Sequence, residues 1–303
     1  MTSRSLTFPN AAAGRLGIFI KSTLRDLQSF QLLQEDLHRY CGVHGPIIVC
    51  VPDKHINEFR RHVSRSYDLL SDSAVARAAD IFWPIHDSWY MQQLLKLCAC
   101  DVVAADAALI LDSNTIINAE FDETMFRVND RWIYEIFDAG IKDLNWERQT
   151  WRFMKLAPPG VLGFRTVNQI FVRIELSGLR KYLEESYKIP WGELLFASGE
   201  CDRLLGAVSW TEFQMYGAYV ASESTHHTHR LGKKNHLNYF NPKRHLDKLP
   251  DMLSQWAQER PFMIKAYRQR PGIRMSASEY AEVTSAIRRA CRSDRDSNDG
   301  TRG

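Results

Sequence analysis

The residues of this chain best placed to do chemistry are Asp112, Ser113 and Asn114, which directly follow the short apolar run Ala107 to Leu111. Such a run, bounded by polar residues, has the pattern of a strand covered on both faces of a parallel sheet. An open α/β sheet binds its ligand outside the carboxyl ends of its strands, so a carboxylate and an amide oxygen set there can hold a divalent cation and a phosphate together. Mg²⁺ and Mn²⁺ prefer oxygen donors, keep several waters and are commonly shared between a protein carboxylate and a substrate phosphate. The bland alternative is an ordinary turn or helix cap, for which Asp, Ser and Asn are equally suited.

Other polar groups gather in the flanking segments. Gln92, Gln93 and Lys96 lie on the helix expected just before this strand, with Gln92 and Lys96 one turn apart on one face. They can reach a diphosphate or sugar hydroxyls, or form a solvated helix face. His226, His227 and His229 are the densest histidine group; imidazoles are suitable metal ligands, and a polar loop accounts for them equally well. The basic pairs Lys233-Lys234 and Lys243-Arg244, and Arg268-Gln269-Arg270, can attract an anion or serve as solvated surface. Neither a P-loop nor a G-x-G-x-x-G fingerprint is present, which argues against an ordinary dinucleotide enzyme.

These residues need a scaffold, and the first half of the chain supplies the signals of one. Leu16 to Ile20 reads as a buried strand and Arg25 to Tyr40 as an amphipathic helix, ended by Gly42. Ile47 to Val51 reads as a second strand, Ile56 to His62 as a short helix leading to a loop around Ser71-Asp72-Ser73, and Ile81-Phe82 as a short third strand. Strands alternating with helices predict an α/β fold with a mainly parallel central sheet and right-handed crossovers. Beyond it, Arg127 to Tyr134 reads as a strand or hairpin arm, Asp143 to Met154 as a helix and Leu162 to Phe164 as a strand. The segment Val167 to Ile174 follows, and Leu176 to Ser186 and Phe213 to Val220 read as helices. The expected division is a flexible lead-in over 1–14, one domain over 15–290 with halves at 15–118 and 119–290, and a disordered tail over 291–303.

Composition excludes several classes of function. Among 303 residues the net charge is +3, too small for a protein that binds the nucleic-acid backbone through a basic surface. Six scattered cysteines, most in apolar segments, read as reduced thiols in a cytoplasmic compartment. No window has the apolar length of a membrane span or a signal peptide, which leaves peripheral membrane contact as the only membrane role expected.

Three stretches taken together, Trp89 to Cys100 (WYMQQLLKLCAC), Ala108 to Ile116 (ALILDSNTI) and Ser209 to Val220 (SWTEFQMYGAYV), resemble a bacterial family of unknown function with a type-A glycosyltransferase-like fold. The likeness runs from Leu16 to Val220 and includes Lys21 to Tyr40 and the Val51-Pro52-Asp53 after the second strand. It implies a single-domain, Rossmann-related nucleotide-diphospho-sugar transferase. Such an enzyme moves a sugar from a UDP- or GDP-type donor to a glycan or lipid-linked acceptor, in cell-surface polysaccharide or glycoconjugate synthesis. Under the resemblance Asp112 and Asn114 hold Mn²⁺ or Mg²⁺, completed by His226, His227 or His229. It makes Glu212 the base of an inverting transfer, with a helix-start capping carboxylate as the alternative, and Trp210 and Tyr216 residues of the acceptor site. By their positions after the first two strands and on the preceding helix, Lys21, Thr23, Asp53, Gln92, Gln93 and Lys96 are candidates to meet the donor, Asp53 being equally suited to a turn. Asn114 departs from the family pattern, which has a second Asp; an amide carbonyl can still ligate a metal but brings no charge. That departure favours an alternative, a catalytically silent sugar-nucleotide-binding or scaffold protein. A nucleotidyltransferase, which releases pyrophosphate, would use similar metal and phosphate chemistry.

Overall fold

A computed structural model describes residues 15–82, 89–138, 145–157, 162–164, 168–232, 237–240, 245–259, 261–266, 269–270 and 273–292. The expected lead-in, Lys233-Lys234, Lys243-Arg244, Arg268 and residues 293–303 lie outside them. In chain order the described residues form β1 (Leu16–Lys21), α1 (Leu27–Tyr40), β2 (Ile47–Val51), α2 (Ile56–Phe59), β3 (Asp68–Ser71), α3 (Asp72–Ala78), α4 (Trp89–Leu97), α5 (Ala99–Val102), β4 (Ala107–Asp112) and β5 (Thr115–Ile117). There follow β6 (Arg127–Val128), β7 (Arg131–Asp138), α6 (Asn145–Phe153), β8 (Leu162–Phe164), β9 (Ile170–Val172), α7 (Arg173–Tyr187), α8 (Trp191–Leu205), α9 (Glu212–Ser222) and β10 (His229–Gly232). The last are β11 (Leu237–Phe240), α10 (Leu249–Glu259), β12 (Met263–Ala266), β13 (Gln269–Arg270), β14 (Ile273–Arg274) and α11 (Ala277–Arg292). The final helix therefore carries through Cys291 and Arg292, where a tail was expected.

The contacts divide the chain into two compact units that interleave in sequence. One takes the described residues of Met1–Leu24, Val43–Leu111 and Glu123–Lys233, and the other those of Arg25–Gly42, Asp112–Asp122 and Lys234–Gly303. Each unit is assembled from pairings between segments far apart in the chain.

The first unit is built on a five-stranded sheet of order β3-β2-β1-β4-β9. β1 and β2 pair in parallel, as do β2 and β3, while β9 runs antiparallel to β4. The sheet is thus mixed but mostly parallel. All six residues of β1 and the five apolar residues of β4 are buried, which is why both read as unbroken apolar runs. Strand order reverses between β1 and β4, and such reversals in open α/β sheets are where ligands bind.

The third strand is not where the sequence placed it. Asp68–Ser71 pairs with β2, with Ile48 opposite Asp68; it is a polar-flanked edge strand with only two apolar residues, which masked its signal. Ile81 instead closes α3. Asp80 adopts a left-handed φ of 58°, and the Ile81 N–H returns to the Ala76 carbonyl at 2.9 Å, a Schellman ending whose apolar residue packs into the core.

A second sheet in this unit has order β10-β7-β6, with β8 on β7. β6 and β7 form a hairpin turned by Asn129 and Asp130, both at positive φ, as a two-residue turn matched to strand twist requires. Helix α9 is buried on nearly every side from Glu212 to Tyr219. Its Tyr216 stacks on Phe171 at 4.3 Å, and Tyr134 donates to the Phe213 carbonyl at 2.6 Å. A Cβ at Gly217 would lie 2.5 Å from Phe164 and 2.7 Å from Tyr134. Gly217→Ala should therefore destabilise by about 1–3 kcal/mol through overpacking, although the same change in an open helix stabilises. Urea denaturation showing a variant as stable as the parent would mean that the two rings yield freely.

In the second unit, β12 pairs in parallel with β11 and antiparallel with β5. Its core joins Ile116, Phe240, Trp256, Ile264, Tyr280 and Ile287. Asp36 of α1 accepts the Ile117 N–H at 3.1 Å and Arg288 of α11 at 2.8 Å, tying three elements through one buried carboxylate. Among the described residues no helix is long and apolar enough to cross a membrane. Cys50, Cys98, Cys100 and Cys291 are buried free thiols; burial pushes Cys100 up to about 12, so it stays a neutral core residue at physiological pH.

Candidate functional site

The buried run of β4 ends at Asp112, whose side chain is 20% exposed where the chain leaves the sheet. Ser113 and Asn114 form the turn into β5. β5 then pairs with β12, placing Lys265 opposite Thr115, while the Ala266 N–H donates to the Asn114 carbonyl at 2.9 Å. This register delivers the Lys265 ammonium to Oδ2 of Asp112, with which it forms an ion pair. Asn114 contributes a further feature: its side-chain oxygen Oδ1 is buried and has no hydrogen-bond partner among the described residues. A buried acceptor left this way costs stability unless something supplies a donor.

Sequence reasoning passed over Lys265. The signal was present, because a lysine inside the apolar run Phe262-Met263-Ile264-Lys265-Ala266 is a charge placed where charges are rarely buried. The same lysine bears on the expected Mn²⁺ or Mg²⁺. The orphaned amide oxygen suits an electropositive ligand, but the one carboxylate of the turn already holds an ammonium. These residues as arranged do not fit a divalent cation.

The first unit places the other candidates. At the end of β1, Lys21 lies 3.0 Å from Asp72 Oδ1 and donates to the Ser22 carbonyl, and the Cys50 thiol donates to the same Asp72 oxygen at 3.1 Å. Lys21 is thus part of a buried cluster, with buried Thr23 two residues on. Burial pushes the Cys50 thiol well up, against the pull of Lys21. Asp53 is exposed after β2 and accepts both the N–H and hydroxyl of Ser73. Partial burial raises the Asp53 carboxyl, but the hydrogen bonds from Ser73 and Ser71 outweigh it and hold it below the ordinary carboxylate value.

On α4, Gln92 is half-buried, Gln93 is buried and donates to the Trp89 carbonyl, and Lys96 is buried. Lys96 meets Glu212 at 2.8 Å, with side-chain exposures of only 4% and 2%. The sequence thus named both partners but not their pairing: α4 and the start of α9 are locked together by an ion pair, and neither charge stands open. Lys96 also lies over the Phe213 ring at 5.2 Å.

Trp210 and Tyr216, expected at the acceptor site, both lie in the core. Trp210 is fully buried beside Tyr90, and the Tyr216 hydroxyl accepts the Val172 N–H at 2.8 Å within the aromatic core. Helix α9 is covered on both sides, which leaves its rings no open face. The three histidines also separate. His226 and His227 are exposed, whereas His229 is buried on β10 with Nε2 bonded to the Ile170 carbonyl and Nδ1 to the Thr228 hydroxyl. Burial lowers the His229 pKa to about 4, against the opposing pull of Ile170 and Glu175. Buried, with both ring nitrogens facing protein oxygens, His229 is a core residue in this arrangement.

Comparison with curated proteins gives no match. A family model does match: that of a family of unknown function, DUF6492, aligns with residues 14–269, which is most of the chain and spans Asp112, Glu212 and Lys265, and the chain belongs to that family.

Proposed function

We propose that this protein is a glycosyltransferase that takes a sugar from a UDP- or GDP-type donor and passes it to a glycan or lipid-linked acceptor hydroxyl. The observation that carries the reading is the placement of Asp112: a partly open carboxylate closing β4, the strand on the far side of the reversal in strand order. Support comes also from the orphaned oxygen of Asn114, an acceptor suited to a ligand hydroxyl. In the transfer, the acceptor oxygen bonds to the anomeric carbon, the bond from that carbon to the diphosphate breaks with its electron pair, and the acceptor proton passes to a base or to water. A positive group at the leaving diphosphate lowers the barrier, because charge develops there in the transition state.

An inverting enzyme needs a base at the acceptor hydroxyl. Glu212 can serve only by leaving Lys96, so the reading does not depend on it. The burial of that carboxylate favours the second reading, a protein that binds the nucleotide sugar without transferring it.

Calorimetry with a panel of nucleotide sugars, followed by an assay for released nucleoside diphosphate, separates the two. A transferase binds a donor and hydrolyses it slowly or transfers its sugar; a silent binder releases nothing; pyrophosphate release would indicate nucleotidyl transfer. Asp112→Ala is expected to abolish turnover while the circular dichroism of the fold is retained. Wild-type turnover in that variant would remove the basis of the proposal.

A further inference from the structure

We propose that Lys265 is the cation that meets the donor diphosphate, and that donor binding requires no divalent metal. The inference rests on the nucleotide-sugar reading and adds to it the identity of the charge at the site.

Three observations converge within the second unit. First, Lys265 sits in a buried strand, its side chain only 8% exposed, and its ammonium is aimed at Asp112 by the β5 to β12 register. Burying a lysine in a strand is costly, and a buried ion pair gains little over apolar residues of the same volume. Stability alone therefore gives a weak reason for a lysine at this position. Second, the local charge balances in a particular way. A turn with two carboxylates presents two negative charges, which a divalent cation neutralises. Here the amide of Asn114 removes one negative charge and Lys265 adds one positive charge. The combined change equals the charge of a divalent ion, so the Asp112–Lys265 pair is itself neutral. Adding a divalent cation at Asp112 would bring it against the Lys265 ammonium that the carboxylate already holds. Third, Oδ1 of Asn114, as the amide is oriented, is a buried acceptor in want of a donor. A hydroxyl of a nucleotide sugar supplies one.

The chemistry then divides among three side chains. Lys265, a flexible point charge with three N–H donors, turns part of its hydrogen bonding from Asp112 to the phosphate oxygens. Asp112 holds the ammonium in place, and Asn114 accepts a donor hydroxyl.

The test titrates UDP and GDP into the full-length protein in EDTA and again with Mn²⁺. The expected result is binding in EDTA that Mn²⁺ leaves unchanged within about twofold. Loss of one charged hydrogen-bond donor in Lys265→Met should weaken that binding ~10- to 100-fold, and Lys265→Arg should recover part of it. Because Lys265→Met removes the ammonium from beside Asp112, the double variant Lys265→Met/Asp112→Asn provides a neutral pair whose thermal melt and circular dichroism report folding; it should bind as weakly as the single variant. Binding by the parent protein that disappears in EDTA and returns with Mn²⁺ would overturn this inference and leave the nucleotide reading standing. Unweakened binding by folded Lys265→Met would do the same. Absence of binding in both buffers would overturn the nucleotide reading and this inference with it.

Discussion

Lys96→Met should remove about 3–5 kcal/mol of stability, the cost of breaking a buried ion pair by removing one member. The partner is Glu212, 2.8 Å away and 2% exposed, so the carboxylate cannot recover its lost interaction from water. Both residues lie in the first unit, where α4 and α9 pack together. Methionine matches the lysine stem in length and keeps the packing against Phe213, which isolates the charge as the thing removed. The double variant Lys96→Met/Glu212→Gln should recover most of the loss, because two neutral groups of similar shape replace the pair. Urea denaturation of the two single variants and the double variant closes the cycle. A single-variant loss below about 1 kcal/mol, the range of exposed ion pairs, would mean that water reaches the site. It would also restore Glu212 as an accessible base, so the experiment bears on function as well as on stability.

The second large effect is expected in acid. His229 is neutral in the folded protein because burial holds its pKa down to about 4, whereas an unfolded chain protonates histidine near ~6.5. Between those values the unfolded state binds more protons than the folded one, so folding stability rises with pH through this window. The contribution is therefore fully present above about pH 6.5 and is lost as pH falls toward about 4. Its size is roughly 3 kcal/mol, from a displacement of about two and a half pH units at about 1.4 kcal/mol each. Urea denaturation at pH 7 and pH 4.5 reads it directly. His229→Gln retains hydrogen-bonding groups facing Thr228 and Ile170 but cannot titrate, so its stability should depend less on pH over this interval. Equal acid losses in the variant and the parent would show that other groups carry the effect.

The two experiments touch residues that sequence spacing singled out for chemistry and that the fold uses otherwise. Lys96 and Glu212 were readable as polar positions on two helices, one turn from Gln92 in the first case and at the helix start in the second. Nothing in that spacing says that the helices meet through these residues. His229 was readable as one of three clustered histidines. Only the pairing of β10 with β7, with His229 opposite Trp132, turns it into the core while its neighbours remain exposed.

The sequence by itself determined β1, α1, β2, α4 and β4, the unbroken burial of β1 and β4, and the polar turn at Asp112 where the strand ends. Those features are local: apolar periodicity, runs of β-branched residues and turn-forming side chains act over a few positions. The tertiary structure decided what surrounds that turn. The short edge strand β3 carried too few apolar residues to announce itself, and the joining of β5 to β12 depends on residues about 150 positions apart. Strand register is a long-range property of this kind, since it is settled by which apolar faces are buried against one another. That register is what carries Lys265 to Asp112, and with it the charge of the site.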